Sequence, residues 1–246
     1  MVPGPVRHRP SSTPLRVPRT VALVGIDGSG KTTQAHLLAD ALADRGLPAV
    51  YRRNAGGRRW FGRLATALGR ADGDALLGRR PMLFVEAVLR WLAILRTLVR
   101  RWFTGETAVM DRYAVCQFAS IRARSSRSEF WARLAYGLFP EPDVTFLLAV
   151  DPAIAYDRIE RRGYDHEEMD YLRAATAAYR ALPEFPRFVV IDANGTPEQV
   201  QADMLAHLPA VARSADLLTR ARPLLVATAT VVAAATALTY QLAEGF

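Results

Sequence analysis

Two periods of apolar residues alternate along the chain. Val21-Ala22-Leu23-Val24, running into Gly25, is a short unbroken apolar stretch, the pattern of a strand buried on both faces of a parallel sheet. Thr32 to Arg45 then carries helical spacing, with Leu37, Leu38, Ala41 and Leu42 on one face, and Gly46 closes it. Ala49-Val50-Tyr51 predicts a second strand, ahead of the loop Arg52-Arg53-Asn54-Ala55-Gly56-Gly57. Gly69 to Gly78 has no clear period. Pro81 opens a long helical pattern through Phe103, with Leu83, Ala87, Leu92, Leu95 and Val99 among its apolar positions, and Gly105 stops it. Ala108 to Asp111 and Val144 to Val150 predict further strands, the first delivering an acid at its carboxyl end. Helices are expected at Ala153–Arg162 and Glu167–Ala181, a last strand at Phe188–Ile191, and a helix from about Pro197.

Apolar strands alternating with helices imply an α/β fold, a doubly wound parallel sheet with helices on both faces. Such sheets bind ligands at the carboxyl ends of their strands, where the glycines, Asp111 and Asp151 fall. No internal repeat is visible.

Between the first strand and the first helix stands Gly25-Ile26-Asp27-Gly28-Ser29-Gly30-Lys31-Thr32, a complete G-x-x-x-x-G-K-[ST] phosphate loop in its proper context, which makes the fold a three-layer P-loop NTPase. Its glycines let successive backbone N–H groups face phosphate oxygens, and the helix behind adds the positive end of its dipole. Lys31 is placed to bridge the β- and γ-phosphates of ATP, and the Thr32 hydroxyl to bind Mg²⁺. Asp111 at a strand end suits an acid that holds Mg²⁺ or orients an acceptor. Arg112 beside it offers a fixed guanidinium for an acceptor phosphate. Arg158, Arg161 and Arg162 precede Gly163 and the polar run Tyr164-Asp165-His166-Glu167-Glu168, the composition of a short lid bringing positive charge over a transferring phosphoryl group. A solvated basic helix end is the competing reading of those arginines.

Charge and composition refine this picture. The net charge of +8 invites a nucleic-acid reading. The arginines are scattered, however, and no RRM, helix-turn-helix or zinc pattern accompanies them, so no nucleic-acid partner is expected. Lys31 is the only lysine of the chain, and it stands in the phosphate loop. One cysteine, Cys116, excludes an intrachain disulfide and fits a reducing, cytoplasmic setting. Residues 1–19, rich in Pro and Arg, lack the apolar run of a secretory signal and read as a disordered lead.

Taken together, the phosphate loop continued by Thr33, Asp111-Arg112-Tyr113, Pro142-Asp143-Val144, Ala149-Val150-Asp151-Pro152 leading to Arg158 and Arg161-Arg162-Gly163, and Val190-Ile191-Asp192-Ala193 resemble the thymidylate kinase family of nucleoside monophosphate kinases, from about Val21 to His207. The resemblance implies Mg-ATP as donor and thymidylate as acceptor. It implies that Gly25, Gly28, Ser29, Gly30, Lys31, Thr32 and Thr33 hold the ATP phosphates, with Arg158 near adenine. It further implies that Asp27 meets the acceptor sugar, that Arg53 and Arg112 grip the acceptor phosphate, and that Arg90 lies near the base. Departures from the family pattern are Asn54-Ala55 for Glu-Pro, Glu86 and Ser120 where aromatics are usual, and Cys116 for a serine.

The expected organisation is a lead over 1–19, a kinase domain over 20–212 and an apolar tail over 213–246. Leu224 to Leu242 is 19 uncharged residues, preceded by Arg213, Arg220 and Arg222. As a helix it would reach roughly 28 Å, near a bilayer core. The basic residues before it would keep the kinase on the cytoplasmic face. Packing on the domain or in a homodimer is the alternative. Three functional readings stand open at this stage: a nucleoside monophosphate kinase acting on dTMP, a P-loop kinase for another phosphate-bearing acceptor, and a membrane-tethered ATP-binding switch.

Overall fold

The computed structural model describes residues 18–57, 67, 69, 78–124, 129–163 and 167–212. The 1–17 part of the lead, the Tyr164-Asp165-His166 part of the lid and the 213–246 tail lie outside the described residues. The strands are β1 (Thr20–Val24), β2 (Ala49–Arg53), β3 (Thr107–Asp111), β4 (Val144–Ala149) and β5 (Val189–Asp192). They form one parallel sheet in the order β2-β3-β1-β4-β5. The chain steps from β1 outward to β2, returns to β3, and then crosses to the other side of β1, so the order reverses beside β1. The helices are α1 (Lys31–Asp44), α2 (Arg79–Thr104), α3 (Ala114–Ala123), α4 (Glu129–Tyr136), α5 (Pro152–Glu160), α6 (Met169–Arg180) and α7 (Pro197–Ala212).

Local chemistry explains most boundaries. β1 is buried at every position, and β3 likewise, which is why their apolar runs show no alternation. Gly105 ends α2 in a left-handed conformation (φ 69°), its N–H donating to the Arg101 carbonyl at 2.9 Å. Asp151 caps α5 by accepting from the Ala153 N–H at 2.7 Å, with Pro152 in the first turn. Pro18 and Arg19 already join the fold: the Arg19 N–H donates to Asp143 at 2.7 Å and its carbonyl accepts from the Ala108 N–H at 2.9 Å.

Helices cover both faces of the sheet. α1 packs against β2, β3 and α7, whereas α3 packs with α4 and α6, and α5 with α6. Phe146, Leu23, Leu38, Met110, Leu148, Ile191 and Met204 are fully buried where these layers meet. The predicted elements appear within one or two residues of their expected ends. The pattern reading passes over α3 and α4. Nearly every residue of α3 is buried, Ala114 through Ala119 and Ile121 included, so the helix has no polar face to reveal its period. α4 has only two turns. Among the described residues no helix is long and apolar enough to cross a membrane.

Candidate active site

The strand register assembles the site. Asp111 ends β3 and pairs with Leu23 of β1 on one side and Arg53 of β2 on the other. The phosphate loop, which leaves β1 two residues after Leu23, therefore sits between Asp111 and the carboxyl end of β4. Within it, Gly28 lies so close to α5 that a Cβ there would stand 2.4 Å from the Ala155 carbonyl oxygen, at a backbone angle (φ 81°) that L side chains avoid. Gly30, also left-handed, begins α1 with open space around it.

Lys31 is buried at the first position of α1, its ammonium donating to the Ile26 carbonyl at 2.5 Å and to Ser29 Oγ at 3.3 Å, and lying 3.7 Å from Asp27. Burial and the neighbouring Arg112 guanidinium push its pKa down to about 8, against the pull of Asp27 and Asp111. Burial alone would raise the Asp27 carboxyl. Arg112 and Lys31 outweigh that and hold it well below the usual carboxylate range. Thr32 donates its hydroxyl to Asp111 Oδ2 at 2.6 Å, and the Tyr51 hydroxyl lies 3.4 Å from the same oxygen.

Arg112 has the one positive φ, 79°, among the described non-glycine residues. Its N–H donates to the Leu23 carbonyl at 3.1 Å, its guanidinium donates to Asp27, and its own carbonyl accepts from Asn54 Nδ2 at 2.8 Å. Asn54, 0% exposed, also donates its backbone N–H to the Asp111 carbonyl at 3.0 Å and accepts the Thr97 hydroxyl at 3.2 Å. A residue that the sequence marks only as a departure from a family pattern is thus the brace that joins β2, β3 and α2 behind the site. Backbone strain at Arg112 is held by these contacts, a common condition of residues that must present a side chain at a fixed angle.

Around this centre opens a cleft of about 2130 Å³, well above the size of a pocket for one small ligand. Every predicted site residue lines it: the glycines of the loop, Ser29, Lys31, Thr32 and Thr33, Asp27, Arg53, Arg90, Asp111, Arg112, Arg158, Arg161 and Arg162. Arg158 donates to the carbonyls of Ala193 at 3.0 Å, Asn194 at 3.2 Å and Gly195 at 3.4 Å, fixing the loop after β5 against the phosphate loop. Arg161 and Arg162 are exposed on the turn that ends α5, and among the described residues they donate to helix carbonyls, at 3.1 and 3.2 Å. Arg90 is 8% exposed, donates to Gln117 at 2.6 Å, and keeps its Nε buried without a partner.

Further residues line the cleft beside those assigned a role from the sequence. Tyr171 of α6 and Ser120 of α3 meet through their hydroxyls at 3.4 Å. Arg124 donates to both, at 2.9 Å to Tyr171, and stacks 4.3 Å over the Tyr171 ring. An aromatic ring is therefore present in the cleft, supplied by α6. Arg96 lines the cleft from α2, and Glu86 lies against the backbone of Gly56. Tyr179 donates to the Gly25 carbonyl at 3.2 Å and supports the loop from beneath. Ser120 and Glu86 stand in the sequence only as departures from a family pattern, and the others have no motif to flag them; the packing of α3 against α6 and the Arg90–Gln117 bond from α2 to α3 bring them together. Among the described residues, Lys31 and eight arginines face four carboxylates across the cleft, a balance suited to polyphosphate ligands.

The oxygen set at the loop is that of a hard cation: the Thr32 hydroxyl and Asp111, whose second oxygen, Oδ1, is buried without a hydrogen-bond partner. Among the described residues no cluster of three or more His, Cys, Asp or Glu forms a cage. Mg²⁺ commonly rests on one or two protein oxygens plus substrate phosphates and waters, so these residues fit it.

Comparison with known proteins gives a consistent result. A family model described as thymidylate kinase matches residues 23–204. A probable thymidylate kinase of Pyrobaculum aerophilum is 33% identical over 195 residues, covering 78% of this chain and 97% of the relative. Thymidylate kinases of Rhodopirellula baltica and Dinoroseobacter shibae are 31% and 30% identical, covering 84% and 79% of this chain and 89% and 98% of the relatives.

Proposed function

The chain belongs to the thymidylate kinase family, and we propose that it transfers the γ-phosphoryl group of ATP to dTMP, forming dTDP and ADP, by means of the cleft residues described above. The observation that carries this reading is the convergence on one cleft of a complete phosphate loop, the Thr32–Asp111 pair and the Asp27–Arg112 pair. The first two suit a donor triphosphate, and the third lies where an acceptor phosphate would meet it.

In this reading an oxygen of the acceptor phosphate attacks the γ-phosphorus as the bond to the β–γ bridging oxygen breaks, and ADP leaves. The attacking oxygen is already ionised near neutral pH, so the protein's work is positioning and charge compensation. Lys31 and the loop N–H groups hold the β- and γ-phosphates. Arg112, fixed by Asp27 and by its own backbone bonds, and Arg53 beside Asp111 hold the acceptor phosphate. Arg161 and Arg162, exposed at the cleft, compensate charge on the moving phosphoryl. Arg158 braces the wall formed by the loop after β5, where the adenine would lie. Mg²⁺, held by Thr32 and Asp111, would neutralise charge on the β- and γ-oxygens. Arg90 with Gln117, and Tyr171 with Arg124, face the acceptor side.

The chain's apolar 224–242 segment completes the proposal as an anchor that keeps this domain on the cytoplasmic face of a membrane.

The test is ADP release by the purified chain with Mg-ATP and each nucleoside monophosphate in turn, with Lys31→Ala as control. Selective turnover of dTMP, lost in the control, is expected. A protein that binds ATP but turns over no acceptor, or a Lys31→Ala protein with full activity, would overturn the assignment.

A further inference from the structure

The end of the fold opposite the cleft carries a surface that phosphoryl transfer does not use. β1, β2 and β3 start there, and α1 and α2 end there. α7 runs to the same end, because it lies parallel to α1: Gln34 donates to the Pro197 carbonyl at 2.8 Å and Gln201 to the Leu37 carbonyl at 2.9 Å. That register brings the end of α7 level with the loop after α1, whose Pro48 carbonyl accepts from the Thr107 N–H at 2.7 Å at the start of β3. The tail therefore leaves the fold at this end.

The last turn of α2 projects two aromatic side chains here, Trp102 at 52% and Phe103 at 83% exposure, their rings 6.2 Å apart and within 16° of parallel. Guanidiniums surround them. Arg100 and Arg45 are exposed, and Arg101 donates to Thr20 next to exposed Arg19. Of the described carboxylates at this end, Glu106 is paired with Arg52, Glu141 with Arg187 and Glu184 with Arg133, Asp143 accepts the N–H groups of Arg19 and Thr20, and Asp44 is exposed. Beyond Ala212 the chain adds Arg213, Arg220 and Arg222 and then the 19 uncharged residues from Leu224.

We propose that this end of the fold is a membrane-docking surface, resting on an anionic bilayer with Trp102 and Phe103 at headgroup depth and the cleft turned toward water. Aromatic rings with a wet edge favour that zone, and guanidiniums pair with lipid phosphates there. A second copy of the chain is the poorer partner, since a two-fold pairing of this surface sets Arg19 and Arg100 of one copy against those of the other. The docking is a property of the folded domain and does not rest on the anchor reading of the tail.

The test uses the full chain and vesicles of phosphatidylcholine alone or mixed with phosphatidylglycerol. Binding to the anionic vesicles is expected, weakened by salt, with tryptophan fluorescence quenched by brominated acyl chains. With the tail disabled by Val231→Arg, Trp102→Ser with Phe103→Ser should lower partitioning by about tenfold or more and remove most of that quenching, with kcat in solution unchanged. Trp131→Ser, which removes another exposed aromatic, should change neither. Val231→Arg in the tail should leave Trp102 quenching in place. Equal binding and quenching by the Val231→Arg chain with and without the Trp102/Phe103 substitutions would overturn the docking. Absence of binding to any vesicle would overturn it, as would a parent dimer that the double variant converts to monomer in sedimentation velocity.

Discussion

Arg112 leaves the end of β3 at a left-handed backbone angle and returns its guanidinium to Asp27, so that the phosphate loop and the carboxyl end of β3 share one ion pair. Asp27 is depressed below its ordinary value of 3.8 because Arg112 and Lys31 outweigh the upward push of burial. A folded-state pKa below the unfolded one gives stability that is present above about pH 4 and lost as the solution is acidified below it. Asp27→Asn should flatten the loss of Tm below pH 4 relative to the parent and raise the KM for dTMP more than that for ATP. An unchanged acid profile would mean that the pair carries little energy, as exposed ion pairs often do.

Lys31 titrates lower than an ordinary lysine, at about 8, because burial and Arg112 both disfavour its charge. Its protonated form is the one that can hold phosphates, so kcat/KM for ATP should fall as the pH rises through about 8, the value for the free enzyme. Bound phosphates favour the charged ammonium, so the fall in kcat should come at higher pH. Lys31→Arg should abolish the alkaline limb, and Lys31→Ala should lower kcat by on the order of 10²–10³ at neutral pH. A pH profile that Lys31→Arg leaves unchanged would assign the limb to another group.

The 2.6 Å bond from Thr32 to Asp111 holds together the two residues assigned to Mg²⁺. Thr32→Val keeps the shape and removes the hydroxyl. It should raise the Mg²⁺ concentration for half-maximal activity by about 10–100-fold, with little change in Tm. Thr32→Ser should restore most of the affinity. A variant losing Tm and activity together, at any Mg²⁺ concentration, would make the bond purely structural.

How far the site was legible in the sequence depended on whether its chemistry is local. The phosphate loop is contiguous, and directly after an apolar strand its glycines, Lys31 and Thr32 declare themselves in eight residues. Asp111-Arg112 was legible because an apolar run ends in it. Asn54 was not: its meaning lies in bonds to Asp111, Arg112 and Thr97, residues brought near only by strand register and by the lie of α2. Tyr171 and Arg124 belong to helices distant in sequence, and α3 itself is hidden by being buried nearly all round. Sequence pattern thus reports what one element does, whereas this wall of the cleft is made where α3 meets α6.

Asn54 gives the most direct test of that non-local part. It is fully buried, and its side chain both donates to the Arg112 carbonyl and accepts from Thr97. Asn54→Ala leaves the Thr97 hydroxyl and the Arg112 carbonyl without these partners, at a cost of about 1–3 kcal/mol, or a Tm lower by roughly 2–12 °C for a chain of this size. Asn54→Asp should cost more, since it sets a buried carboxylate against the Arg112 carbonyl. Arg53 and Arg112 flank this brace, so the KM for dTMP should rise while that for ATP holds, because the phosphate loop is supported separately by Tyr179 and α5. Equal rises in both constants would mean that the brace supports the whole cleft, and an unchanged Tm would show that water replaces the lost bonds.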